Sequence, residues 1–510
     1  MFILDYMFLM KKLRWLHSFF QGFEHPAPNT KLTLLDAVTL LLLMFFGFLS
    51  RNFRIQYPEA RIFDEIYFGN FTNYYLRHEY FFDIHPPLGK LIFALFAKLS
   101  LDPATTNYER AISSYTQKYY ITLRMTSASF SSLVAPYGFV TMRLFGFSYI
   151  ASLFTGFYLA VDFMLIVEGR LILTDGILHS FVMLAVFLIA LLHAHPDSYI
   201  ALIFAGIGCG FCSSVKLTAL SVYVFAALQQ LLYVTGGNIF RILTEFNPAD
   251  FNLKNLKSKE FYKNNLLARY ILRSFTIIFT GILVTFILFC VHVIICVYKG
   301  PGNQAMPEIF KGTIIEKSDF PNFTDHVNKT SLIRRVVELY HFMHIYNMRI
   351  TSPHSAQSNW YDWPLCRMKS IPYYTANWMS LVLTPNVLVW YSAAFGAFVS
   401  LIISIWAFAT GKWNLLWISI WPCGYFASWL PFALIPRSLF VYHYLVPLMF
   451  GVFCFSTSID ILFQKCRIIS SCLFSLMIFF AFVLWIFYTP WLYGMVGYDW
   501  GSRQWRDNLF

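Results

Sequence analysis

Eleven long apolar segments constrain this chain more than any other feature, because each has about the 17–25 residues that a helix needs to cross a lipid bilayer. The chain is 58% hydrophobic and only 13% charged, whereas soluble domains carry about 25% charged residues. The sequence therefore predicts an all-α membrane protein with about 11 transmembrane helices. The predicted spans lie near residues 32–50, 118–142, 147–166, 171–194, 198–214, 217–234, 270–298, 385–410, 414–433, 440–462 and 468–489.

The distribution of basic residues predicts how these spans are oriented. Lys and Arg are enriched in the cytosolic loops of membrane proteins. They gather here in the N-terminal segment 1–31, in the loop 235–269 and in the short turns that carry Lys412 and Lys465. Eleven spans would place all four regions on one side, so we expect a cytosolic N-terminus and a lumenal C-terminus. The same bias explains the net charge of +12 without nucleic acid as a partner.

Three N-glycosylation sequons, at Asn70, Asn322 and Asn328, fall on the side opposite the basic loops. If they are used, that side is the lumen of the secretory pathway. Most of the nine cysteines, such as Cys290, Cys296 and Cys454, lie inside apolar runs, and no cluster of His, Cys and Asp has the spacing of metal ligands. Neither a disulfide framework nor a metal site is therefore predicted.

Uncommon polar residues collect at or near the predicted lumenal ends of the spans. Ionisable groups are costly to hold at a membrane, and their convergence on one face indicates a shared site. These residues are Asp64, Glu65, His85, Lys90, Arg124, Asp162, Glu168, Arg170, Asp175, Lys216, Arg437 and His443.

The first predicted lumenal loop contains two candidate functional patterns. Asp64 and Glu65 are adjacent acids; such acids are usually just solvated, but one can be a general base that takes a proton from a hydroxyl. Pro86 and Pro87 predict the start of an amphipathic helix at the lumenal interface. Lys90 would lie in its first turn, where the helix dipole disfavours a cation unless an anion such as phosphate lies nearby. The alternative is a lysine that reaches lipid headgroups.

Later predicted spans contribute further charged residues. Glu168, Arg170 and Asp175 flank a predicted turn, where they can tie two helices together or take part in chemistry. Asp162 is deeper in its span and must be paired or protonated. Lys216 can bind a phosphate or extend to the membrane surface. Together, such groups suit transfer from a lipid-phosphate donor, with cations stabilising the departing phosphate and a carboxylate activating an acceptor hydroxyl.

Several stretches resemble the dolichyl-phosphate-mannose–protein O-mannosyltransferase family. The most specific of them contain Asp64-Glu65 and the run His85-Pro86-Pro87-Leu88-Gly89-Lys90. The resemblance runs in order from about residue 35 to 460. The matching stretches are 51–58, 62–69, 80–90, 168–175, 214–216, 360–364 and 437–447.

The resemblance implies a GT-C membrane glycosyltransferase of the endoplasmic reticulum whose lumenal loops form the active site. Such enzymes transfer mannose from dolichyl-phosphate-mannose to Ser or Thr of proteins, with inversion, and often work as dimers of related subunits. By position, Asp64 would be the catalytic base, with Glu65 beside it. Donor or phosphate binding would fall to Arg51, His85, Lys90, Arg124, Lys216 and Arg437, supported by Glu168, Arg170, Asp175 and His443. No cofactor is firmly implied, and a metal requirement stays open.

The chain departs from the family pattern at some positions. The 299–384 loop is far too short for the three-lobed MIR domain of most eukaryotic members, Tyr67 replaces a frequent histidine, and 383–390 follows a Gly-Asn-Pro pattern only loosely. The implied organisation is a cytosolic segment (1–31), a catalytic membrane module with a first lumenal loop at 51–117 (32–298), a lumenal loop (299–384), a C-terminal membrane module (385–489) and a lumenal tail (490–510).

Three other functions remain as alternatives on the sequence. Another GT-C transferase would use a different polyprenyl-phosphate sugar. A multispan transporter would show inverted repeats and helices broken near the midplane, and no such symmetry is visible. A catalytically silent subunit of a mannosyltransferase would not need to retain Asp64 and Glu65.

Overall fold

The computed structural model describes residues 25–109, 113–250, 258–305, 313–314, 330–376 and 378–497. Its α-helices are α1 (Leu34–Asn52), α2 (Glu65–Arg77), α3 (Leu88–Leu99), α4 (Tyr119–Ser131), α5 (Val134–Leu144), α6 (Tyr149–Val161), α7 (Phe163–Arg170), α8 (Thr174–Ala194), α9 (Tyr199–Ser213), α10 (Ser221–Thr235), α11 (Arg241–Thr244), α12 (Lys259–Asn264), α13 (Leu266–Ile295), α14 (Leu332–Met348), α15 (Val387–Ala409), α16 (Ile420–Trp429), α17 (Leu445–Lys465) and α18 (Arg467–Leu492). Strands β1 (Ile371–Ala376) and β2 (Met379–Leu383) form a hairpin. Short 3₁₀ turns lie at Leu217–Leu220, Pro248–Asp250, Pro301–Ala305, Trp360–Leu365, Leu415–Ser419, Leu430–Leu434 and Val441–Tyr444.

Within these residues, seven helical stretches are long and apolar enough to cross a membrane, and the bent pair α6–α7 makes an eighth. The prediction of a multi-pass helical membrane protein is thus confirmed, while the count of eleven stays a prediction. The other three predicted spans are shorter or interrupted. Residues 118–142 form α4 and α5, 198–214 contain the 15-residue α9, and 414–433 form α16 between two 3₁₀ turns.

Two spans form the centre of the bundle. Most of α8 and of the stretch Val441–Lys465, which contains α17, is buried by other helices. By contrast, α13 and α18 expose long rows of Ile, Leu and Phe side chains, which in a bilayer would contact lipid tails. Lipid cannot form hydrogen bonds with backbone N–H and C=O groups. Each span is therefore helical, so that these groups bond to one another.

A sharp bend divides one span at Asp162. Helices α6 and α7 meet there at 52°. The Asp162 carboxylate caps α7 by accepting from the Leu165 amide at 3.0 Å, and it accepts from Trp390 Nε1 at 3.0 Å. The bend turns α7 away from the axis of α6, and Arg170 at the end of α7 donates to backbone oxygens at the end of α1 and just after it.

The predicted helix start at Pro86-Pro87 matches the structure, since α3 begins at Leu88. Its expected amphipathic character stays a prediction. Leu95 and Leu99 are exposed on the outer face, where in a bilayer they would contact lipid. The outer face helps line an open cavity of about 750 Å³ between α2, α3 and α13.

The hairpin lies within the predicted lumenal loop 299–384. β1 and β2 are antiparallel, with Ile371 opposite Leu383 and an irregularity between Pro372 and Tyr374. Helices α7 and α18 pack against β2, and Met379 bridges to Val496 beyond α18. The hairpin is therefore fixed to the helical body through β2.

The close contact between α15 and α17 generates a stability prediction. A Cβ atom at Gly396 would overlap the backbone of Phe455. Because a packed helix pair cannot easily separate, we expect Gly396→Leu to reduce the free energy of unfolding by about 1–3 kcal/mol. The neighbouring Phe395 is 61% exposed, so Phe395→Leu should change it by less than about 0.5 kcal/mol. Thermal unfolding in detergent measures both, and equal effects would contradict the assigned packing.

Candidate active site

Asp64 lies at the centre of a cluster of charged residues, called here the charged cluster. Its other members are Asp83, Lys90, Glu168, Asp175, Lys216 and Arg437. Asp64 directly precedes α2, yet its carboxylate makes no capping hydrogen bond with the helix, unlike most aspartates at that position. Its pKa is raised to about 6: burial is the largest cause, Lys216 opposes it, Asp175 and Asp83 add to it, and Arg437 opposes it. The carboxylate is half-buried and remains available to a substrate hydroxyl. It therefore has the accessibility and the pKa of a general base that works near neutral pH.

Lys216 is the cation with the largest effect on the pKa of Asp64. Its Nζ atom lies 2.7 Å from Asp175 Oδ2, and both side chains are buried. Asp175 belongs to the first turn of α8, where the helix dipole favours an acid. Lys216 Nζ also lies 5.6 Å from the centre of the Tyr442 ring. Asp175 and Tyr442 thus fix the ammonium group beside Asp64.

Lys90 and His85 form the next part of the cluster. Lys90 Nζ bonds to the Asp83 carboxylate and donates to the backbone oxygen of His85 at 2.6 Å. Asp83 thereby supplies the anion that the first turn of α3 was expected to need. Burial holds the pKa of His85 well below its ordinary value, and the cations Lys216, Lys90 and Arg437 act in the same direction. The His85 ring is therefore neutral at physiological pH.

Glu168 is linked to the hairpin. Tyr373 of β1 donates its hydroxyl to Glu168 Oε1, while the buried Oε2 atom has no hydrogen-bond partner among the described residues. The Tyr373 ring stacks on Phe63 with centroids 4.8 Å apart, directly before Asp64. The hairpin and the bent helix α7 therefore meet at the catalytic candidate.

Glu65 points away from the cluster and is fully engaged. Its two carboxylate oxygens accept from Arg124 Nε at 2.8 Å and NH2 at 2.9 Å. They also accept from the Ile62 and Ile172 amides and from the Tyr115 hydroxyl, at 3.0–3.1 Å. A carboxylate accepts about four hydrogen bonds, so Glu65 has no capacity left for a substrate proton.

Arg124 and Arg51 are likewise occupied by the protein. Besides Glu65, Arg124 donates to the backbone oxygens of Pro58 at 2.8 Å and Ala60 at 2.9 Å. Arg51 is completely buried and donates to backbone oxygens near the end of α6, at residues 159 and 160. The structure does not bring either guanidinium to the charged cluster.

Three other predicted residues also have defined partners. Arg170 donates to backbone oxygens of residues 51, 53 and 54. Arg437 bonds to Asn347 and contributes to the potential at Asp64. His443 Nδ1 lies 3.0 Å from the Phe440 amide nitrogen, which places its ring against the backbone.

One of the three predicted glycosylation sites lies within the described residues. Asn70 lies within α2 and is half-buried, while Asn322 and Asn328 lie outside the described residues. In the part of the chain that the structure describes, no group of three or more His, Cys, Asp or Glu side chains could hold a metal ion.

Two family models match the sequence on either side of the central loop. The model of dolichyl-phosphate-mannose-protein mannosyltransferase matches residues 41–240, and that of the C-terminal four-transmembrane region of protein-O-mannosyltransferase matches residues 332–509. The chain belongs to this protein O-mannosyltransferase family. The two matches together span about three quarters of its length.

Curated relatives and a solved structure agree with this membership. The chain is 26% identical to dolichyl-phosphate-mannose–protein mannosyltransferase 3 of Saccharomyces cerevisiae over 287 residues, which are 55% of this chain and 36% of that protein. It is 35% identical to mannosyltransferase 4 of Schizosaccharomyces pombe over 143 residues, 28% of this chain and 18% of that protein. The matched region thus spans about a third or less of these relatives. The S. cerevisiae protein O-mannosyltransferase Pmt1-Pmt2 complex bound to the sugar donor has the same fold, with a TM-score of 0.76, 16% identity and 91% coverage of both chains.

The sequence did not single out three of the residues that shape the site. Asp83 and Tyr442 lie inside stretches that carried the family resemblance, so position alone could have marked them. No feature of the sequence marks Tyr373 as a site residue, because it contacts Glu168 and Phe63 from a segment that is distant in sequence.

The buried Glu65–Arg124 pair yields a stability prediction. We expect Glu65→Gln to reduce the free energy of unfolding by about 3–5 kcal/mol, because it leaves the Arg124 guanidinium buried without its counter-charge. Glu79 pairs with Arg77 at a partly exposed site, so Glu79→Gln should cost at most about 1 kcal/mol. Thermal unfolding of the purified variants measures both values. A Glu65→Gln variant as stable as Glu79→Gln would contradict a structural function of the pair.

Proposed function

We propose that this protein transfers mannose from dolichyl-phosphate-mannose to Ser and Thr hydroxyls of proteins in the lumen of the endoplasmic reticulum, with inversion. The observation that carries the proposal is Asp64, an available carboxylate with a pKa near 6 that faces the cations Lys216 and Arg437. Membership of the mannosyltransferase family and the names of the curated relatives support it. The related fold of a complex bound to the sugar donor is consistent with it.

The charges suggest how the reaction would proceed. The donor phosphate would lie by Lys216 and Arg437, and the acceptor hydroxyl would lie by Asp64. Asp64 would take the hydroxyl proton as the oxygen forms a bond to the anomeric carbon of mannose. The bond between that carbon and the phosphate oxygen breaks, and the electron pair leaves with dolichyl phosphate. The nearby cations stabilise the negative charge on the departing phosphate.

Several residues expected at the donor would instead hold the site in place. We propose that Glu65 and Arg124 hold the start of α2 in place, because they form hydrogen bonds with each other and with the surrounding backbone. Arg51 and Arg170 would fix the backbone at the end of α6 and after α1. Lys90 is paired with Asp83, so a phosphate at Lys90 would have to displace or share that carboxylate.

The proposed placement in the membrane follows the distribution of charge and the sequence organisation. The cluster would lie at the lumenal end of the spans, between a catalytic module at 32–298 and a C-terminal module at 385–489. The N-terminus would be cytosolic and the C-terminus lumenal. A homodimer or a heterodimer with a related subunit is part of the proposal, supported by the two-subunit complex that shares the fold.

Replacement of Asp64 tests the proposed base. We expect Asp64→Asn to lower kcat by about 10²- to 10⁴-fold, because the amide cannot take the hydroxyl proton. The assay measures mannose transfer from dolichyl-phosphate-mannose to a Ser/Thr peptide in detergent. Glu59 is exposed and lies five residues earlier, so Glu59→Gln is the matched control and should keep full activity. Normal transfer by folded Asp64→Asn would refute the assignment, and transfer only from another polyprenyl-phosphate sugar would refute the donor.

The raised pKa of Asp64 predicts how activity depends on pH. The base is active when ionised, so kcat/KM should fall as the pH drops through about 6, rather than near 4 as for an ordinary aspartate. Lys216 lowers the pKa of Asp64, so Lys216→Gln should move this acidic limb to higher pH in the residual activity. The pH profiles of the two enzymes measure the shift. If the acidic limb of the kcat/KM profile does not move, a group other than Asp64 determines it.

A further inference from the structure

The hairpin has one attached edge and one open edge. β2 pairs with β1 on one side, and on the other it is covered by α7 and α18 and bridged to Val496. β1 pairs with β2 alone, and no further strand or backbone group pairs with its outer edge among the described residues. In an antiparallel strand, alternate residues direct their N–H and C=O groups outward. The outer edge of β1 therefore presents a short row of unpaired main-chain donors and acceptors.

β1 reaches the charged cluster through the side chain of Tyr373. Tyr373, in the middle of β1, donates to Glu168 and stacks on Phe63. Phe63 precedes Asp64 and also meets Tyr442, with ring centroids 6.1 Å apart. β1 is thus the part of the hairpin that touches both the residue before the proposed base and an acid of the cluster.

Two sequence features suit this edge to one extended ligand. Pro372 lacks an N–H group, and proline in sheets is confined to edge strands. The register of the hairpin skips Tyr373, so regular pairing would be restricted to residues 374–376. Pro372 and Thr375 are exposed, which leaves room beside the strand. A short edge limited by proline resists stacking into longer sheets while it can still accept one added strand.

We propose that the outer edge of β1 binds the acceptor polypeptide as an extended third strand, which carries its Ser or Thr hydroxyl to Asp64. The pairing is between main chains, so it selects an extended backbone rather than a particular sequence. Glu168 is completely buried and holds the Tyr373 hydroxyl, so it would position the strand rather than touch the bound segment. This inference rests on the proposed transfer reaction and specifies how its acceptor is held.

Backbone methylation of the acceptor tests this mode of binding directly. A series of peptides with one reactive Thr carries a single N-methyl group at successive positions. Added strands bond through every second residue, so the acceptor KM should rise about tenfold or more at alternate positions and change by less than about twofold between them. The assay uses the full-length protein with dolichyl-phosphate-mannose as donor.

The outcomes separate this inference from the proposed function. If the unmodified peptide receives mannose and KM rises without alternation, or does not change, strand addition is wrong and the proposed function stands. If the unmodified peptide is not a substrate under conditions in which the enzyme is folded, both the proposed function and the inference that rests on it are wrong.

A variant of the hairpin provides a second test. Tyr373→Phe removes the hydroxyl that bonds to Glu168 and keeps the ring that stacks on Phe63. We expect the acceptor KM to rise about three- to tenfold and the donor KM to stay unchanged. Tyr361 is exposed and lies outside the hairpin, so Tyr361→Phe is the matched control. Loss of thermal stability with both KM values unchanged would assign Tyr373 to the fold alone and overturn its part in acceptor binding.

Discussion

The buried ion pair between Glu65 and Arg124 is the interaction on which the rest of the site depends. Removing two charges from water costs several kcal/mol each, so such a pair persists only when its remaining hydrogen bonds are satisfied. Here the surrounding backbone satisfies them, from residues 58 and 60 on one side and residue 172 on the other. The pair therefore joins the start of α2, the helix α4 and the turn before α8. Asp64 owes its position to this junction, because it is the residue next to Glu65.

The two adjacent acids thus have opposite environments. Glu65 is enclosed by hydrogen-bond donors, whereas the Asp64 carboxylate lies near two acids and two cations and makes no capping hydrogen bond with α2. The first arrangement gives rigidity, and the second leaves a carboxylate able to exchange a proton. Asp64 directly precedes α2 and Glu65 is its first residue, so the two side chains point in different directions.

The sequence predicted the membrane class, the family and some of the residues near Asp64, such as Asp175, Lys216 and Arg437, because these depend on apolar length, on charge at the span ends and on recognisable local stretches. It could not predict the partners of Arg51 and Arg124, since these side chains bind backbone oxygens, which any residue can supply. Nor could it predict that Tyr373 reaches Glu168, because a short hairpin brings together distant segments. The interrupted spans escaped prediction for a related reason. Composition records how apolar a segment is, whereas a break depends on partners elsewhere that satisfy the freed backbone groups.

The bend at Asp162 restricts how this chain can change over time. A break within a span frees backbone groups. Here the Asp162 carboxylate accepts from the Leu165 amide, Arg51 donates to the backbone oxygen of residue 160, and Trp390 donates to the Asp162 carboxylate. Residues that share one network have interdependent effects on stability. The effect of a substitution at any one of the three is therefore expected to depend on the other two. Change at these positions is constrained jointly, which favours keeping the bend.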